Sequence, residues 1–512
     1  MDKKLEKTLV EEILRARERI YRVNRPTPIE IIPIEGISAQ IFLKREDLST
    51  INAYKWRGAY NCISMLPKDA LEKPIVAASA GNHAQGVAMA ARLLGLNSKI
   101  YMPLSTPHMK QVAVERHGQD SSEIILTGDT YNEAAEAALK DATENDCAFV
   151  HPFDNLYTIA GQATIADEIV LSGEGPFDYA FLQIGGGGLA AGVSSWLRIH
   201  YPNIKIIGVE GKDQASMKAS IQAGEVTTIQ SVDTFCDGTA VTRPGELCYE
   251  ICKDTLDDII TVSNQEVCAA IETTWEYRRF IPEPSGAMGL AGVLKYAREH
   301  GDELKGKKVV SVITGTNMDF SRLRLISANA AVGADRQRFL KFNINEKSGS
   351  LLKLIKTYLP DMNITAFQYG KVSNDDAFPV VAFEASPEKL HNALKKLDTH
   401  QIPYEDITED ADTRYRIINY NPELFKYPLF LNVHFSERSG ALRDFLNQTS
   451  DLSNICYFNY IYTGETIGRA VMGFEFEKET DQQKLLKLIE GSSVTCKPLD
   501  EKTLKRIIYT AS

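Results

Sequence analysis

From Ile29 to about Ile326 the chain alternates short runs rich in Val and Ile with longer stretches of helical composition. The runs are Pro74-Ile75-Val76-Ala77-Ala78, Ser98-Lys99-Ile100-Tyr101-Met102, Tyr179-Ala180-Phe181-Leu182-Gln183-Ile184, Ile204-Lys205-Ile206-Ile207-Gly208-Val209 and Val309-Val310-Ser311-Val312-Ile313. A strand that is apolar at successive positions is buried on both faces, the condition of a parallel strand with helices above and below it. The alternation predicts an α/β domain over residues 1–330, with a smaller subdomain at about 50–145. Several runs end in Gly-rich or polar turns where a helix begins. Open α/β sheets bind their ligands there, beyond the carboxyl ends of the strands.

Past about Ala331 the period changes. Leu340, Phe342 and Ile344 interleave with Lys341 and Asn343, and Leu429, Leu431, Val433 and Phe435 with Asn432 and His434. Period two marks half-buried antiparallel strands. The region also repeats itself. Glu346-Lys347-Ser348-Gly349-Ser350-Leu351 recurs as Glu437-Arg438-Ser439-Gly440-Ala441-Leu442, ninety-one positions on. The same spacing carries Phe367-Gln368-Tyr369 onto Phe458-Asn459-Tyr460, and Val380, Phe383 and Glu384 onto Val471, Phe474 and Glu475. A constant offset without gaps indicates a duplicated unit. Two α+β subdomains of order βαββα are expected, at 335–410 and 425–512.

A length of 512 residues exceeds one ordinary core and calls for two to four domains. The apolar share of 44% and charged share of 24% are those of a globular protein, and no uncharged apolar run is long enough for a membrane span. A net charge of -11 disfavours nucleic acid and acidic membranes as partners and leaves small molecules. Met1 to Val10 mixes Lys, Asp and Glu without an apolar or Arg-rich targeting pattern, so a cytoplasmic protein is expected. Of the eight cysteines only Cys248 and Cys252 come close in sequence, without a zinc or redox spacing. They read as free, mostly buried thiols, and no metal site is expected.

Four stretches carry candidate chemistry. Ile184-Gly185-Gly186-Gly187-Gly188-Leu189-Ala190-Ala191-Gly192 follows a strand and opens a helix. Bare N–H groups at a positive dipole end suit a phosphate, and four successive glycines cost too much chain entropy for an idle turn. No Lys-Ser/Thr follows, which disfavours a nucleotide P-loop. Lys55, in Ala53-Tyr54-Lys55-Trp56-Arg57-Gly58-Ala59, taken alone is more often a snorkelling surface residue than a reactive amine, and only the company of the other motifs reverses that. Ala78-Ser79-Ala80-Gly81-Asn82-His83-Ala84-Gln85-Gly86 suits a carboxylate through its N–H groups and Ser79, while the Asn82 amide can donate to a phenolate oxygen. A tight helix cap by Ser79 or Asn82 is the alternative, and His83 reads as structural. Thr314, in Thr314-Gly315-Thr316-Asn317, offers a hydroxyl to a ring nitrogen or simply makes a turn.

Together with Glu283-Pro284-Ser285-Gly286-Ala287, and in this order, these motifs resemble the threonine dehydratase branch of the fold-type II (tryptophan synthase β-like) pyridoxal-phosphate enzymes. The duplicated region resembles the paired ACT-like regulatory subdomains of the long biosynthetic members. The resemblance runs over nearly the whole chain from Pro26. It implies pyridoxal 5'-phosphate as cofactor, carried by Lys55 as a Schiff base, with Tyr54 beside the ring and Asn82 on the ring hydroxyl. It assigns Gly185, Gly186, Gly187, Gly188 and Leu189 to the phosphate, Thr314 to the pyridine nitrogen, and Gly238 and Glu283 to the remaining edge. Ser79, Ala80, Gly81 and Asn82 would line the substrate carboxylate. Ala53 stands where many members have Ser, Trp56 replaces a smaller apolar residue, and Thr314 replaces the usual Ser but keeps the hydroxyl.

The activity so implied is dehydration of L-threonine, and more weakly discriminated L-serine, to a 2-oxo acid and ammonia. Isoleucine would inhibit and valine relieve, in a homotetramer. Tyr369 and Tyr460 occupy the same repeat position and are candidate effector contacts; as core or interface tyrosines they need no ligand. A racemase or β-replacement enzyme on the same fold is the competing activity, and a non-catalytic amino-acid sensor the competing class. The duplicated C-terminal region favours a regulated biosynthetic step, and Lys55 has no use in a dead fold.

Overall fold

Burial on two faces accounts for the apolar runs. The computed structural model describes residues 2–104, 106–360, 362–410, 418, 420–436, 441–461, 467–490, 495–500 and 504. Two units divide between Gly333 and Ala334. Among the described residues the first has nine strands: β1 (Ile29–Ile32), β2 (Gln40–Arg45), β3 (Ile75–Ala78), β4 (Ser98–Met102), β5 (Ser122–Leu126), β6 (Tyr179–Gln183), β7 (Lys205–Gly211), β8 (Asp258–Val262) and β9 (Lys308–Ile313). Six make one sheet in the order β1-β2-β9-β6-β7-β8, and three make another in the order β3-β4-β5. Only β1 and β2 pair antiparallel.

In the larger sheet successive side chains enter different cores. Tyr179 and Phe181 join Ile207, Val209 and Val309 on one face, under Leu290 and Ala291 of the helix Pro284–Leu304. Ala180 and Leu182 join Ile206, Val310 and Val312 on the other, against the helices Leu156–Leu171 and Gly188–His200. Each such buried aliphatic contributes about 1.5–3 kcal/mol, and the polar exceptions are hydrogen-bonded: Ser311 donates to the Phe181 carbonyl at 3.1 Å. The smaller sheet is likewise covered on both sides. Trp56–Ser64 and Asn82–Leu94 pack on one face, and Tyr131–Glu144 on the other. The small residues of Asn82–Leu94 permit close approach: a Cβ on Gly86 would lie 2.9 Å from the Trp56 Cα. The first unit runs past Ala331, because the helix Leu323–Gly333 belongs to it.

The second unit has the strands β10 (Gln337–Phe342), β11 (Ile344–Asn345), β12 (Asn363–Gly370), β13 (Asp376–Ala377), β14 (Val380–Glu384), β15 (Tyr404–Asp406), β16 (Leu429–Ser436), β17 (Asn454–Ile461), β18 (Ile467–Glu475) and β19 (Thr495–Pro498). Both copies share a single eight-stranded sheet, β15-β10-β14-β12-β17-β18-β16-β19. The join is between equivalent strands. In the antiparallel β12–β17 pair Phe367 faces Tyr460, Gln368 faces Asn459 and Tyr369 faces Phe458. Gln368 and Asn459 are repeat partners, so a local two-fold passes through that pair. Phe367 and Phe458 meet across it with ring centroids 4.5 Å apart. Beyond the expected βαββα order, β15 and β19 add one edge strand to each copy. Glu437, Arg438, Ser439 and Gly440 of the second Ser-Gly motif lie outside the described residues.

None of the eight cysteines is in a disulfide, and six are buried. Among the described residues no helix is long and apolar enough to cross a membrane.

Candidate active site

Three turns at the carboxyl ends of β3, β6 and β9 converge on one cleft. It encloses about 450 Å³ and is lined by Tyr54, Lys55, Asn82, Gly185 to Leu189, Gly238, Glu283 and Thr314. Residues as far apart as 54 and 314 thus meet, as motif order alone could not ensure. Phe153, Gln183, Thr239 and Ser285 also line it. Of the SAGN turn Asn82 is among the lining residues, and Ser79, Ala80 and Gly81 are not.

Lys55 is the residue before the helix Trp56–Ser64, and a buried ionic network fixes that helix start. Arg57 donates to Glu46 through Nε and Nη2 at 2.8 and 2.9 Å, and to Glu168 through Nη1 and Nη2 at 2.6 and 3.0 Å. Lys44 adds a bond to Glu168 at 2.5 Å, and Thr164 accepts from Arg57 at 3.0 Å. Two cations face two carboxylates, all buried, so the charges balance. Trp56 is fully buried as well. Nothing in the sequence pattern marks Lys44, Glu46 and Glu168 as one cluster, since Glu168 is far along the chain.

Desolvation lowers the Lys55 amine below the ordinary lysine value, with Glu283 and Asp237 opposing it. Glu283 is pushed up to about 8, first by burial and then by Asp237. Its Oε1 accepts from Asn82 Nδ2 at 2.7 Å, while Asn82 Oδ1 accepts from Asn317 Nδ2 at 2.8 Å. The Asn82 amide is thereby oriented from both ends, with one donor hydrogen left. His83 Nε2 donates to the Val150 carbonyl at 2.9 Å, and burial lowers its pKa to about 3. It is a neutral core residue, as its sequence context suggests.

The helix Asn82–Leu94 starts at Gly81 without a side-chain cap, and Ser79 Oγ instead accepts from Gly81 N at 3.1 Å. Neither Ser79 nor Asn82 is therefore a helix cap. The helix Gly188–His200 is also uncapped, starting from Gly187 at φ +98°, which leaves its first N–H groups without partners inside the helix. The glycines have a second reason beyond ligand approach. A Cβ on Gly185 would lie 2.9 Å from Thr239 Cα, one on Gly187 2.8 Å from Cys248 Cβ, and one on Gly186 would overlap the Phe153 ring. Protein packing as well as room for an anion requires them.

Thr314 is buried, and its Oγ1 accepts from Gln183 Nε2 at 3.0 Å. With Gln183 supplying that bond, the Thr314 proton is left for an acceptor, and it makes only a long contact of 3.5 Å to the Ser285 carbonyl, which a better-placed acceptor can replace. Gln183 also donates to the Val312 carbonyl at 2.9 Å, and its Oε1 is buried without a partner among the described residues. Its only sequence signal was a polar residue near the end of an apolar strand. These features fit a flat, anionic, nitrogen-containing cofactor: a desolvated amine, an uncapped Gly-rich helix start, an oriented amide and a hydroxyl in the cleft lining.

The second unit has its own cavity, of about 510 Å³, between the helices Ser350–Tyr358 and Ala441–Thr449. Tyr369 lines it and donates to Glu346 Oε2. Tyr460 is buried in the shared core, and Glu437, the repeat partner of Glu346, lies outside the described residues.

Residues 20–315 match the family of pyridoxal-phosphate dependent enzymes, and residues 328–417 and 427–506 match the C-terminal regulatory domain of threonine dehydratase. The chain is 37% identical over 466 residues to a biosynthetic L-threonine dehydratase of Burkholderia multivorans, covering 89% of this chain and 91% of that one. Among solved structures it resembles the processed form of threonine deaminase isoform 2 from Solanum lycopersicum, with 36% identity and a TM-score of 0.62 over 64% of this chain and 94% of that one. It also resembles maize serine racemase, with 29% identity and a TM-score of 0.57 over 62% and 96%. By motif, site geometry and likeness over both units, the chain belongs to the biosynthetic threonine dehydratases of the pyridoxal-phosphate dependent enzyme family.

Proposed function

We propose that this protein converts L-threonine to 2-oxobutanoate and ammonia, accepts L-serine as a second substrate, and catalyses the first step of isoleucine synthesis under isoleucine control. The observation that carries the reading is the desolvated Lys55 amine in one cleft with the Gly185–Gly188 loop, Asn82 and Thr314. Lys55, Tyr54, Asn82, Gly185 to Leu189, Gly238, Glu283 and Thr314 would hold pyridoxal phosphate. When bound, that group supplies an electron sink for the bond broken at the substrate Cα.

The protein's own part follows from its groups. A lysine held below its ordinary pKa is neutral for a useful fraction of the time, so Lys55 can take the proton from the substrate Cα. The N–H groups at the start of Gly188–His200 carry phosphate charge. The Thr314 hydroxyl, fed by Gln183, donates one neutral hydrogen bond to the ring nitrogen and, unlike a carboxylate, leaves that nitrogen unprotonated. This favours loss of the β-hydroxyl over transamination. Ser79, Ala80, Gly81 and Asn82 would receive the substrate carboxylate at the uncapped start of Asn82–Leu94. One methyl separates threonine from serine, worth about 1–3 kcal/mol in an apolar pocket, so selectivity between them is modest.

The regulatory reading rests on the cavity beside Tyr369. Isoleucine binding there would favour a less active state, valine would oppose it, and Tyr460 would serve the second copy. A homotetramer follows from the resemblance alone, and a cytoplasmic location accords with the bacterial biosynthetic relatives.

Lys55→Ala tests the catalytic half. The variant should keep its fold, lose the visible absorbance of the lysine-linked cofactor and release no 2-oxobutanoate from threonine. Turnover within about tenfold of wild type would remove Lys55 from the mechanism, since a positioned base is worth more than that. Millimolar isoleucine tests the regulatory half: an unchanged rate and threonine dependence in active full-length enzyme would end it.

A further inference from the structure

Among the described residues, the second unit buries a cluster of two carboxylates with one cation, Lys371. Glu346 and Glu475 are both buried, and Asn454 Nδ2 bridges them at 2.7 and 3.0 Å. The other Glu346 oxygen accepts from Tyr369. Lys371 supplies one positive charge, and it is committed to Glu475 at 2.6 Å. Among the described residues no lysine, arginine or histidine forms an ion pair with Glu346. Its two protein partners are neutral donors, which orient a carboxylate but do not balance its charge. A carboxylate kept in the interior without a counter-charge is costly. Burial accordingly raises the Glu346 pKa.

Glu346 forms part of the wall of the 510 Å³ cavity. Two other features of that wall complement it. Leu351, Phe367, Leu446 and Ile455 make an apolar side. The helix Ser350–Tyr358 starts from Gly349 at φ +81° without a side-chain cap, and Leu351 and Leu352 of its first turn line the cavity. Their N–H groups have no partners inside the helix and suit an anion. A carboxylate short of a cation, an uncapped helix start and an apolar wall together match the ammonium, carboxylate and side chain of a free aliphatic amino acid.

We infer that Glu346 is the specificity-determining residue of this cavity: it takes the α-ammonium of the bound amino acid and so supplies the missing cation of the cluster. The inference rests on the regulatory reading above and deepens it. It makes the site selective for amino acids over the 2-oxo acids of the same carbon skeleton, which bring the carboxylate and the side chain but no cation. Such selectivity suits a site that must read an amino acid in the presence of the enzyme's own 2-oxo acid product. Tyr369 then acts by orienting Glu346.

The test is calorimetric titration of the full-length holoenzyme without threonine, using isoleucine, valine and 3-methyl-2-oxopentanoate, the 2-oxo acid with isoleucine's side chain. Wild type should bind isoleucine, and the 2-oxo acid at least about tenfold more weakly, because a hydrogen bond between charged partners is lost. Glu346→Gln should weaken isoleucine by a similar factor and leave the weak 2-oxo acid binding unchanged. Equal binding of isoleucine and its 2-oxo acid by wild type would overturn the inference without any variant. Equal isoleucine binding by wild type and a folded Glu346→Gln would do the same, while leaving an effector site in place. If wild type binds none of the three, the regulatory reading itself falls, and this inference with it.

Discussion

Replacing Arg57 by lysine keeps one positive charge but removes the fork that holds two carboxylates at once. Arg57 makes four bonds to Glu46 and Glu168, between 2.6 and 3.0 Å, in a fully buried site. A lysine head can serve one carboxylate well but cannot span both bidentately. At least two bonds to charged groups are lost at about 1.5–3 kcal/mol each, and relaxation of Lys44 recovers part, so Arg57→Lys should destabilise the first unit by about 3 kcal/mol. Arg57→Ala leaves Lys44 alone between two buried carboxylates and should cost about 3–5 kcal/mol. Since Lys55 lies two residues away, the cofactor should also be held less firmly. Urea unfolding of the holoenzyme, followed by tryptophan fluorescence and cofactor absorbance, reads both effects. Burial alone would raise the Glu46 carboxyl, but Arg57 and Lys44 hold it below its usual value. A depressed carboxylate contributes stability above its unfolded pKa and loses it as pH falls through the folded one. The gap between wild type and Arg57→Ala should therefore be full at neutral pH and shrink below about pH 4. An Arg57→Lys transition within about 0.5 kcal/mol of wild type, with unchanged absorbance, would refute the clamp.

Gly186→Ala should lower cofactor affinity, because its Cβ would overlap the Phe153 ring and overpacking costs about 1–3 kcal/mol; Phe153→Ala in the same chain should restore part of the loss, measured by cofactor titration. Glu283→Gln bears on the carboxyl pushed up to about 8. Between the ordinary glutamate value and this raised one only the folded state holds the proton, so cofactor-free wild type should lose stability as pH rises from about 5 to about 8 relative to the variant and level off above; parallel thermal midpoints across that range would show that Glu283 does not titrate there. Thr314→Asp should protonate the ring nitrogen and raise transamination relative to elimination, read as the ratio of products from threonine, and an unchanged ratio would detach Thr314 from that nitrogen.

Much of this protein was legible in the sequence, wherever the information is local. Burial on both faces makes β6 and β9 apolar at most successive positions, so they could be found without knowing their neighbours. A phosphate loop needs glycines and a following helix in one stretch of chain, and Gly185 to Gly188 supply both. The repeat gave away the duplication because its spacing never slips. What depends on distant partners was not legible. Glu168 and Gln183 act on Arg57 and Thr314 from other elements, and no periodicity links residues more than a hundred positions apart. The glycines of the phosphate loop were attributed to ligand approach, whereas Phe153, Thr239 and Cys248 also demand them, a fact that exists only once those side chains are in place. Two copies of a motif likewise do not say how they join. Only the pairing of β12 with β17 makes one sheet of them, and only that pairing brings Asn454 of the second copy against Glu346 of the first. Sequence settles what each segment is able to do by itself; burial of charge and the meeting of distant side chains are decided by packing, because their energies depend on what else has left the water.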